Sequence, residues 1–191
     1  MNEDSARTGG RVKGVVVITG VSAAGKSTVA QTLAERLPRA AHVRGDTFRR
    51  MVVSGRAEMT PEVNAEAVRQ LRLRHQIAAN TADLYYEAGF TAIVQDIIIG
   101  SELEGFTRLI RSRPLYVIVL APNPAAIERR EHARAKTGYG AEWTIAQLDR
   151  ALREETPRLG LWLDTSAQTP EETVDEIISR AGEAEIQAPH Q

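Results

Sequence analysis

Five short apolar runs recur along the chain, and segments with apolar residues at helical spacing separate them. The runs cover residues 15–19, 40–44, 90–96, 115–120 and 161–164. The fourth run is apolar at nearly every position, as expected for a strand that is covered on both faces. Strands that alternate with helices in this way predict an α/β fold with a doubly wound, five-stranded parallel sheet.

Several of the predicted helices have recognisable first residues. Thr60, followed by proline, predicts the start of a helical segment that ends near Gly89 and is either one long helix or two helices with a break near Asn80. Capping boxes, in which Ser or Thr is followed three residues later by Glu or Gln, predict helix starts at Ser101 and Thr144. Thr169, again followed by proline, begins the last predicted helix.

A glycine-rich segment, Gly20–Ser27, joins the first predicted strand to the first predicted helix. Its spacing is G-x-x-x-x-G-K-[ST], the phosphate-binding loop pattern, in which successive backbone N–H groups surround a phosphate chain at a helix start. Lys26 would reach the β- and γ-phosphates, and the Ser27 hydroxyl would ligate Mg²⁺. The residues expected at the nucleotide are Gly20, Ser22, Ala23, Ala24, Gly25, Lys26, Ser27 and Thr28.

Acidic residues stand at the ends of two predicted strands. Asp46 follows the second strand, and Asp96 ends the third. Parallel strands end at the rim that holds the phosphate loop, which favours a functional role for Asp46 over a helix N-cap or turn role. Asp96 is typical of the metal-supporting carboxylate that accepts from Ser27 or from a Mg²⁺-bound water; the alternative is a strand-end cap.

Arg130 and Arg134 are four residues apart and share one predicted helical face that runs into a glycine-containing segment. Cations beside a phosphate site suit phosphoryl transfer, because negative charge shifts among the γ-phosphate oxygens during the reaction. We therefore expect a lid over about residues 130–142. The alternative is that these arginines only complement the negative end of a helix dipole.

Composition limits the classes of partner. The 191 residues, of which 42% are hydrophobic, suit one domain over 13–182, with flexible tails at 1–12 and 183–191. A net charge of −1 gives no general attraction to nucleic acid or to an anionic membrane, so polynucleotide binding is disfavoured. The chain has no cysteine and no apolar run of membrane-spanning length, which fits a cytoplasmic protein. The sequence does not define an oligomeric state.

Together these motifs resemble the small P-loop kinases of the nucleoside monophosphate kinase type, and within them most closely the chloramphenicol phosphotransferase family. The resemblance is carried by residues 20–27, 45–46, 93–96, 128–134 and 163–166. It implies a three-layer α/β/α P-loop kinase fold with strand order 2-3-1-4-5, a lid and an acceptor pocket.

The resemblance also implies roles for individual residues. Asp46 would be the base that faces the acceptor hydroxyl, Arg130 and Arg134 would be the lid cations, and Asp164 with Thr165 would lie beside the adenine. Gln95 stands where the family often has another acid. The segment containing Asp46 is also similar to the acceptor motif of zeta-toxin kinases, and more loosely to gluconate and adenylylsulfate kinases. The acceptor-binding residues that it implies are Asp46, Phe48, Arg49 and Arg50.

The leading expectation is an ATP- and Mg²⁺-dependent phosphotransferase that moves the γ-phosphate to a hydroxyl of a small molecule, such as an antibiotic or a metabolite. A second reading changes the acceptor to a nucleotide, a nucleotide sugar or another phosphorylated compound, because several arginines lie nearby: Arg49, Arg50, Arg69 and Arg72. A third reading is a regulatory nucleotide-binding module with little transfer activity. The chain has neither an Asn-Lys-x-Asp guanine motif nor an Asp-x-x-Gly switch segment, which favours adenine.

Overall fold

Five parallel strands form the centre of the structure, a computed structural model that describes residues 12–62, 64–133 and 143–187. The strands are β1 (Val15–Gly20), β2 (Ala40–Arg44), β3 (Thr91–Gln95), β4 (Leu115–Leu120) and β5 (Leu161–Leu163). Their order in the sheet is β2-β3-β1-β4-β5, which confirms the predicted order 2-3-1-4-5. This order puts β1, and the loop that follows it, at the middle of the sheet.

Helices cover both faces of the sheet, as a three-layer α/β/α fold requires. They are α1 (Lys26–Arg36), α2 (Gly45–Met51), α3 (Ala65–Glu87), α4 (Glu102–Leu109), α5 (Pro124–His132), α6 (Ile145–Arg150), α7 (Pro170–Ser179) and α8 (Ala181–Ala184). Helix α6 continues as a π-helical segment, Ala151–Glu155. Helix α1 packs on β2, β3 and α7, whereas α3 packs on β3 and α4.

The three middle strands explain why the apolar runs predicted the sheet well. Every residue of β1, β3 and β4 is buried, and the runs are rich in valine and isoleucine. Branched side chains favour the pleated conformation, and helices on both faces remove these side chains from water. The carboxyl ends of β1, β2 and β3 consequently meet at one rim of a rigid core.

Helix starts were predicted less uniformly. Thr144 and Thr169 form the expected N-terminal caps, each with its capping box complete. Ser101 precedes α4 but its side chain makes no capping hydrogen bond. The helix expected from Thr60 begins instead at Ala65, because the Asn64 side chain accepts from the N–H groups of residues 66 and 67 while the Thr60 hydroxyl donates to a nearby carbonyl.

The two chain ends differ from the expected tails where the structure describes them. Val12 is buried, and its carbonyl accepts a hydrogen bond from Thr91 Oγ1 (3.2 Å). At the other end, α8 is followed by a short strand, β6 (Glu185–Ile186), which pairs antiparallel with the first residues of β4. Strand β5 pairs only with residues 118–120 of β4, so the beginning of β4 is open to this pairing.

Candidate active site

The phosphate-loop segment adopts the conformation that its glycines predict. Gly25 is the N-cap of α1 with φ 97°, in the left-handed region, and Ala23 also has a positive φ of 57°. A Cβ added to Gly25 would meet no atom within 4 Å, so the space above the loop is open. Lys26 is buried and donates from Nζ to the carbonyl of Val21 (2.6 Å). The loop and its lysine therefore form a concave, donor-rich surface at a helix N-terminus.

Gln95, at the end of β3, is the hydrogen-bond partner of Ser27. Ser27 Oγ donates to Gln95 Oε1 (3.0 Å), where the sequence analysis expected a contact with Asp96. Successive residues of a strand point to opposite faces of the sheet, so only one of these neighbours can face α1. Gln95 faces α1 and its Ser27, and Asp96 points towards α3.

Asp96 is paired with Arg74 of α3. Arg74 Nε lies 2.8 Å from Asp96 Oδ2, and both side chains are largely buried. Burial raises the pKa of Asp96, and the nearby charges of Arg74 and Lys26 only partly offset this. The pair fills the space beside Gly45, because a Cβ there would lie 1.9 Å from Asp96 Oδ2. Gly45 is thus required by the close approach of a carboxylate.

Replacing Gly45 with alanine is expected to destabilise the fold. The added methyl would force Asp96 away from Arg74, and separating a buried ion pair costs about 3–5 kcal/mol. Urea unfolding measures this loss. Gly105→Ala is the matched control, because a Cβ at that helical position meets no atom within 4 Å. Equal stability of Gly45→Ala and the wild type would contradict the assigned packing.

Asp46, in the first turn of α2, is held by two arginines. Arg49 Nε donates to Asp46 Oδ1 (2.8 Å), and Arg50 Nε donates to Oδ2 (2.7 Å). Partial burial alone would raise the pKa of Asp46, but the hydrogen bonds and charges of the two arginines outweigh it and lower the pKa. Arg49 is shared, since its Nη1 atom also lies 2.6 Å from Glu58 Oε1. Asp46 is therefore ionised and oriented.

One cavity of about 1250 Å³ connects the phosphate loop with Asp46. Typical pockets for one drug-sized ligand have volumes of roughly 300–1,000 Å³, so this cavity has room for two substrates. One half is lined by residues 22–29, Arg130 and Thr165. The other half is lined by Asp46 and its neighbours Phe48, Arg49 and Arg50, and by side chains of α3. We call these the nucleotide half and the acceptor half.

Arg130 bridges two parts of the nucleotide half. Its guanidinium donates to the carbonyl of Ala24 (3.3 Å) in the phosphate loop and to the carbonyl of Thr165 after β5. Thr165 is buried and lines the cavity, whereas the Asp164 carboxylate accepts from Ser166 at the surface. Arg134 and most of the expected lid lie outside the described residues.

Two further residues of the cavity wall were missed by the sequence analysis: His75 and Trp143. His75 is buried with its Nδ1 3.7 Å from Glu102 Oε2, and burial together with the charge of Arg74 lowers its pKa to about 4. Trp143 Nε1 donates to the carbonyl of Met59 (3.0 Å). A histidine within a basic helix, or a tryptophan after a glycine-containing segment, has no spacing signature that would reveal such a position.

The oxygen donors in the nucleotide half suit Mg²⁺. Among the described residues no group of three His, Cys, Asp or Glu side chains could form a metal cage. Mg²⁺ is instead commonly bound by one or two protein oxygens together with waters and substrate phosphates. Ser27 Oγ, next to Gln95 Oε1 and the open space above Gly25, fits this mode.

In the described parts of the chain, no helix has the length and apolarity needed to cross a membrane.

The sheet order and the phosphate loop define the three-layer α/β/α fold that small P-loop kinases have. The chain matches the AAA domain family over residues 15–157, and it belongs to that family. A search of curated proteins gives no match.

Several solved structures share the fold. A sugar kinase from Janibacter sp. HTCC2649 has a TM-score of 0.67 and 20% sequence identity, covering 91% of this chain and 96% of its own. The tunicamycin resistance protein of Deinococcus radiodurans has a TM-score of 0.64 and 14% identity, covering 93% and 100%. The Mycobacterium tuberculosis APS kinase in complex with AMPPNP and APS has a TM-score of 0.58 and 21% identity, covering 90% and 98%. At these identities the likeness establishes the fold.

Proposed function

We propose that the protein is an ATP- and Mg²⁺-dependent phosphotransferase that moves the γ-phosphate to a hydroxyl of a small molecule. The observation that carries this proposal is the continuous cavity, which has a phosphate loop at one end and an oriented carboxylate, Asp46, at the other. Similar proteins of this fold include a sugar kinase and an APS kinase. A nucleotide and an acceptor bound in the two halves would face each other along the cavity.

In the nucleotide half, the cations face neutral carbonyl groups that phosphate oxygens can replace. Lys26 donates to the Val21 carbonyl, and Arg130 donates to two carbonyls that flank the cavity. Backbone N–H groups of the loop would complete the phosphate site. Thr165, which lines the cavity, and Asp164 are the residues proposed to contact the adenine, and Arg134 remains a predicted lid cation. Mg²⁺, when bound, would neutralise charge on the β- and γ-phosphates, next to Ser27, with Asp96 as a predicted supporting carboxylate.

In the acceptor half, Asp46 would orient the acceptor hydroxyl. The hydroxyl oxygen forms a new bond to the γ-phosphorus while the bond to the β,γ-bridging oxygen breaks, ADP leaves with that electron pair, and the hydroxyl proton passes to Asp46. Because Arg49 also binds Glu58, it can leave Asp46 Oδ1 and still keep a carboxylate partner. This exchange would expose Oδ1 to the hydroxyl. The lowered pKa of Asp46 is compatible with its role as the base for the acceptor hydroxyl, since phosphoryl transfer depends mainly on positioning and charge stabilisation.

The charges and apolar surface of the acceptor half favour a neutral acceptor with an apolar body. The arginines that suggested an anionic acceptor all lie near carboxylates: Arg49 and Arg50 pair with Asp46, Arg69 pairs with Glu66, and Arg72 is 3.7 Å from Glu102. Four large apolar side chains that line the cavity are also exposed to solvent, with exposed fractions of 66%, 39%, 54% and 37%: Met51, Met59, Leu73 and Ile77. Binding an apolar molecule would cover this surface.

A nucleotide or other phosphorylated acceptor is the second candidate, because Arg49 and Arg50 do line the cavity and guanidinium groups suit phosphate. For such an acceptor to bind, the arginines would have to exchange their carboxylate partners for the ligand. Asp46 would then lose the two contacts that orient it. The geometry therefore supports this candidate less well than a neutral acceptor.

The proposed acceptor class can be tested by measuring ADP release from ATP and Mg²⁺ with matched acceptor pairs. Each pair contains a neutral hydroxyl compound and its phosphorylated counterpart with a hydroxyl still free, for example a nucleoside and its 5′-monophosphate. Aromatic alcohols are added as further neutral acceptors, and gluconate is added as a further anionic acceptor. We expect turnover with neutral apolar alcohols at least tenfold above that with anionic acceptors, a difference of about 1.4 kcal/mol in barrier. Faster turnover of the anionic members would favour the second candidate. Nucleotide binding without turnover of any acceptor would favour the regulatory module.

A further inference from the structure

We infer that His75 and Glu102 form a polar subsite in the acceptor half of the cavity, and that this subsite binds a second hydroxyl group of the acceptor. The substrate would then be a neutral compound with an apolar body and a hydroxyl at each end. This inference rests on the proposed function, because it narrows the acceptor class of the same site. We call His75, Glu102 and the neighbouring Gly100 the α3–α4 subsite.

His75 is a buried polar residue in the wall of the cavity. Its side chain is 2% exposed, and its ring lies edge-on to that of Phe106 in α4, with the ring centres 5.3 Å apart. Nε2 is buried with no hydrogen-bond partner in the described part of the chain, and Nδ1 faces Glu102 Oε2 across 3.7 Å. Burying a polar group without a hydrogen bond costs stability. A ligand group that supplies such a bond would therefore bind favourably here.

Glu102, the first residue of α4, also lines the cavity. The 3.7 Å between its carboxylate and His75 is longer than a hydrogen bond. Arg72 Nη2 lies at the same distance from the other carboxylate oxygen, and the Arg72 side chain is 70% exposed. The carboxylate oxygens of Glu102 are thus able to accept a hydrogen bond from a ligand.

The two side chains together match the hydrogen-bonding pattern of one hydroxyl group. Burial and the charge of Arg74 lower the pKa of His75 to about 4, so its ring is neutral near pH 7. The carboxylate of Glu102 favours the tautomer with the proton on Nδ1, the nitrogen that faces it. A hydroxyl beside the two would accept from His75 Nδ1 and donate to Glu102. A phosphate or carboxylate in the same place would be repelled by Glu102.

Gly100 leaves room for a ligand at this part of the wall. It lines the cavity with φ 63°, and a Cβ added to it would meet no atom within 4 Å. Its N–H donates to Thr156 Oγ1 (2.7 Å), and that hydroxyl donates to the carbonyl of Ala151 in the π-helical segment. The loop before α4 is therefore held in position while the space beside it stays open.

The α3–α4 subsite and Asp46 are connected through the ion pair of Arg74 and Asp96. Arg74 directly precedes His75, and Asp96 closely approaches Gly45, the residue before Asp46. All of this belongs to one cavity, whose wall also contains apolar side chains of α3. A short apolar body would lie along these side chains, with the reacting hydroxyl at Asp46 and the second hydroxyl at His75 and Glu102.

The experiment measures kcat/KM for ADP release with pairs of alcohols that differ in one terminal hydroxyl: butanediol and butanol, hexanediol and hexanol, and octanediol and octanol. A wholly apolar wall would favour the monohydric member of each pair, because it has more apolar surface to bury. We expect at least one diol to exceed its partner by about 10- to 100-fold, the usual effect of a hydrogen bond to a charged group. Aminohexanol and hydroxyhexanoate carry an ammonium or a carboxylate group in place of the second hydroxyl.

Two variants assign the preference to the subsite. His75→Phe keeps an aromatic ring against Phe106 but removes Nδ1, and Glu102→Leu removes the carboxylate at similar length. Each should bring the diol and its partner to within about threefold of each other. The change should appear mainly in KM, because the second hydroxyl is remote from the transferred phosphate.

Glu104→Leu is the matched control, since Glu104 also lies in the first turn of α4 but is exposed and pairs with Arg108. It should keep the wild-type preference for the diol. Thermal unfolding checks that each variant is folded, and if His75→Phe does not fold, Glu102→Leu decides alone.

The outcomes separate this inference from the proposed function. Equal kcat/KM for every diol and its partner would overturn the subsite, and so would faster turnover of aminohexanol or hydroxyhexanoate than of hexanediol. If the wild type turns over none of these alcohols, calorimetric affinities of the same pairs for the protein loaded with AMPPNP and Mg²⁺ decide in the same way. Absence of ADP release with any hydroxyl compound, together with tighter binding of a diol than of its partner, would overturn the proposed function and leave the subsite in place.

Discussion

Replacing Asp46 with asparagine is expected to lower acceptor turnover by about 10²- to 10⁴-fold, the usual contribution of a positioned general base. Asparagine has nearly the same shape but cannot take the hydroxyl proton, and it gives up the charge that holds Arg49 and Arg50. The affinity for ATP should be unchanged, because Asp46 lies in the acceptor half of the cavity. Steady-state kinetics of ADP release and calorimetric titration with AMPPNP measure the two quantities.

The matched control for Asp46→Asn is Asp175→Asn, an exposed aspartate of α7 that pairs with Arg36. This change should leave both turnover and nucleotide affinity at the wild-type level. Turnover of Asp46→Asn within a factor of about three of the wild type would remove Asp46 from the reaction. A loss of ATP affinity equal to the loss of turnover would show that Asp46 acts on the nucleotide instead.

Replacing Lys26 with methionine should have the second largest effect. The methionine side chain occupies similar space without a charge, so the loop can keep its conformation while the transferred phosphate loses a cation. Removing one preorganised charge-stabilising donor typically costs about 10²- to 10³-fold in turnover. The same variant should also bind ATP more weakly, in contrast to Asp46→Asn.

Lys13→Met is the control for the lysine substitution, since Lys13 is exposed and precedes β1. Lys26→Met should have lower turnover and weaker AMPPNP binding than the wild type, whereas Lys13→Met should match the wild type in both measurements. If Lys26→Met retained wild-type turnover, the proposed binding of ATP phosphates to the loop would be wrong.

The sheet and the phosphate loop were predictable because their signals are local. A buried parallel strand must be apolar along its whole length, as in β4, and a tight loop at a helix start needs residues such as Gly25 that tolerate a positive φ. The strand order came from the resemblance to known kinases, and the structure confirms it. Strand β6 was missed because a two-residue strand has no periodicity.

The candidate site was predicted only in outline, because its details depend on which side chains meet. The position of Asp96 in the sequence predicted that it lies at the rim with the phosphate loop. Because successive strand residues face opposite sides of the sheet, however, Ser27 contacts Gln95 and Asp96 pairs with Arg74. Likewise, the arginines near Asp46 suggested an anionic ligand until their carboxylate partners were known. Net charge along a sequence does not reveal how much of that charge is already neutralised in space.

The contact between Trp143 and Met59 gives the protein an optical reporter of its own. The chain has two tryptophans. The Trp143 indole lies on the wall of the cavity and donates to the Met59 carbonyl, whereas Trp162 lies in β5 with the Arg158 guanidinium 4.0 Å from the centre of its ring. Emission from Trp143 should therefore change when an acceptor displaces water from that wall, while Trp162 supplies a constant reference, so occupancy of the acceptor half can be followed in unlabelled protein.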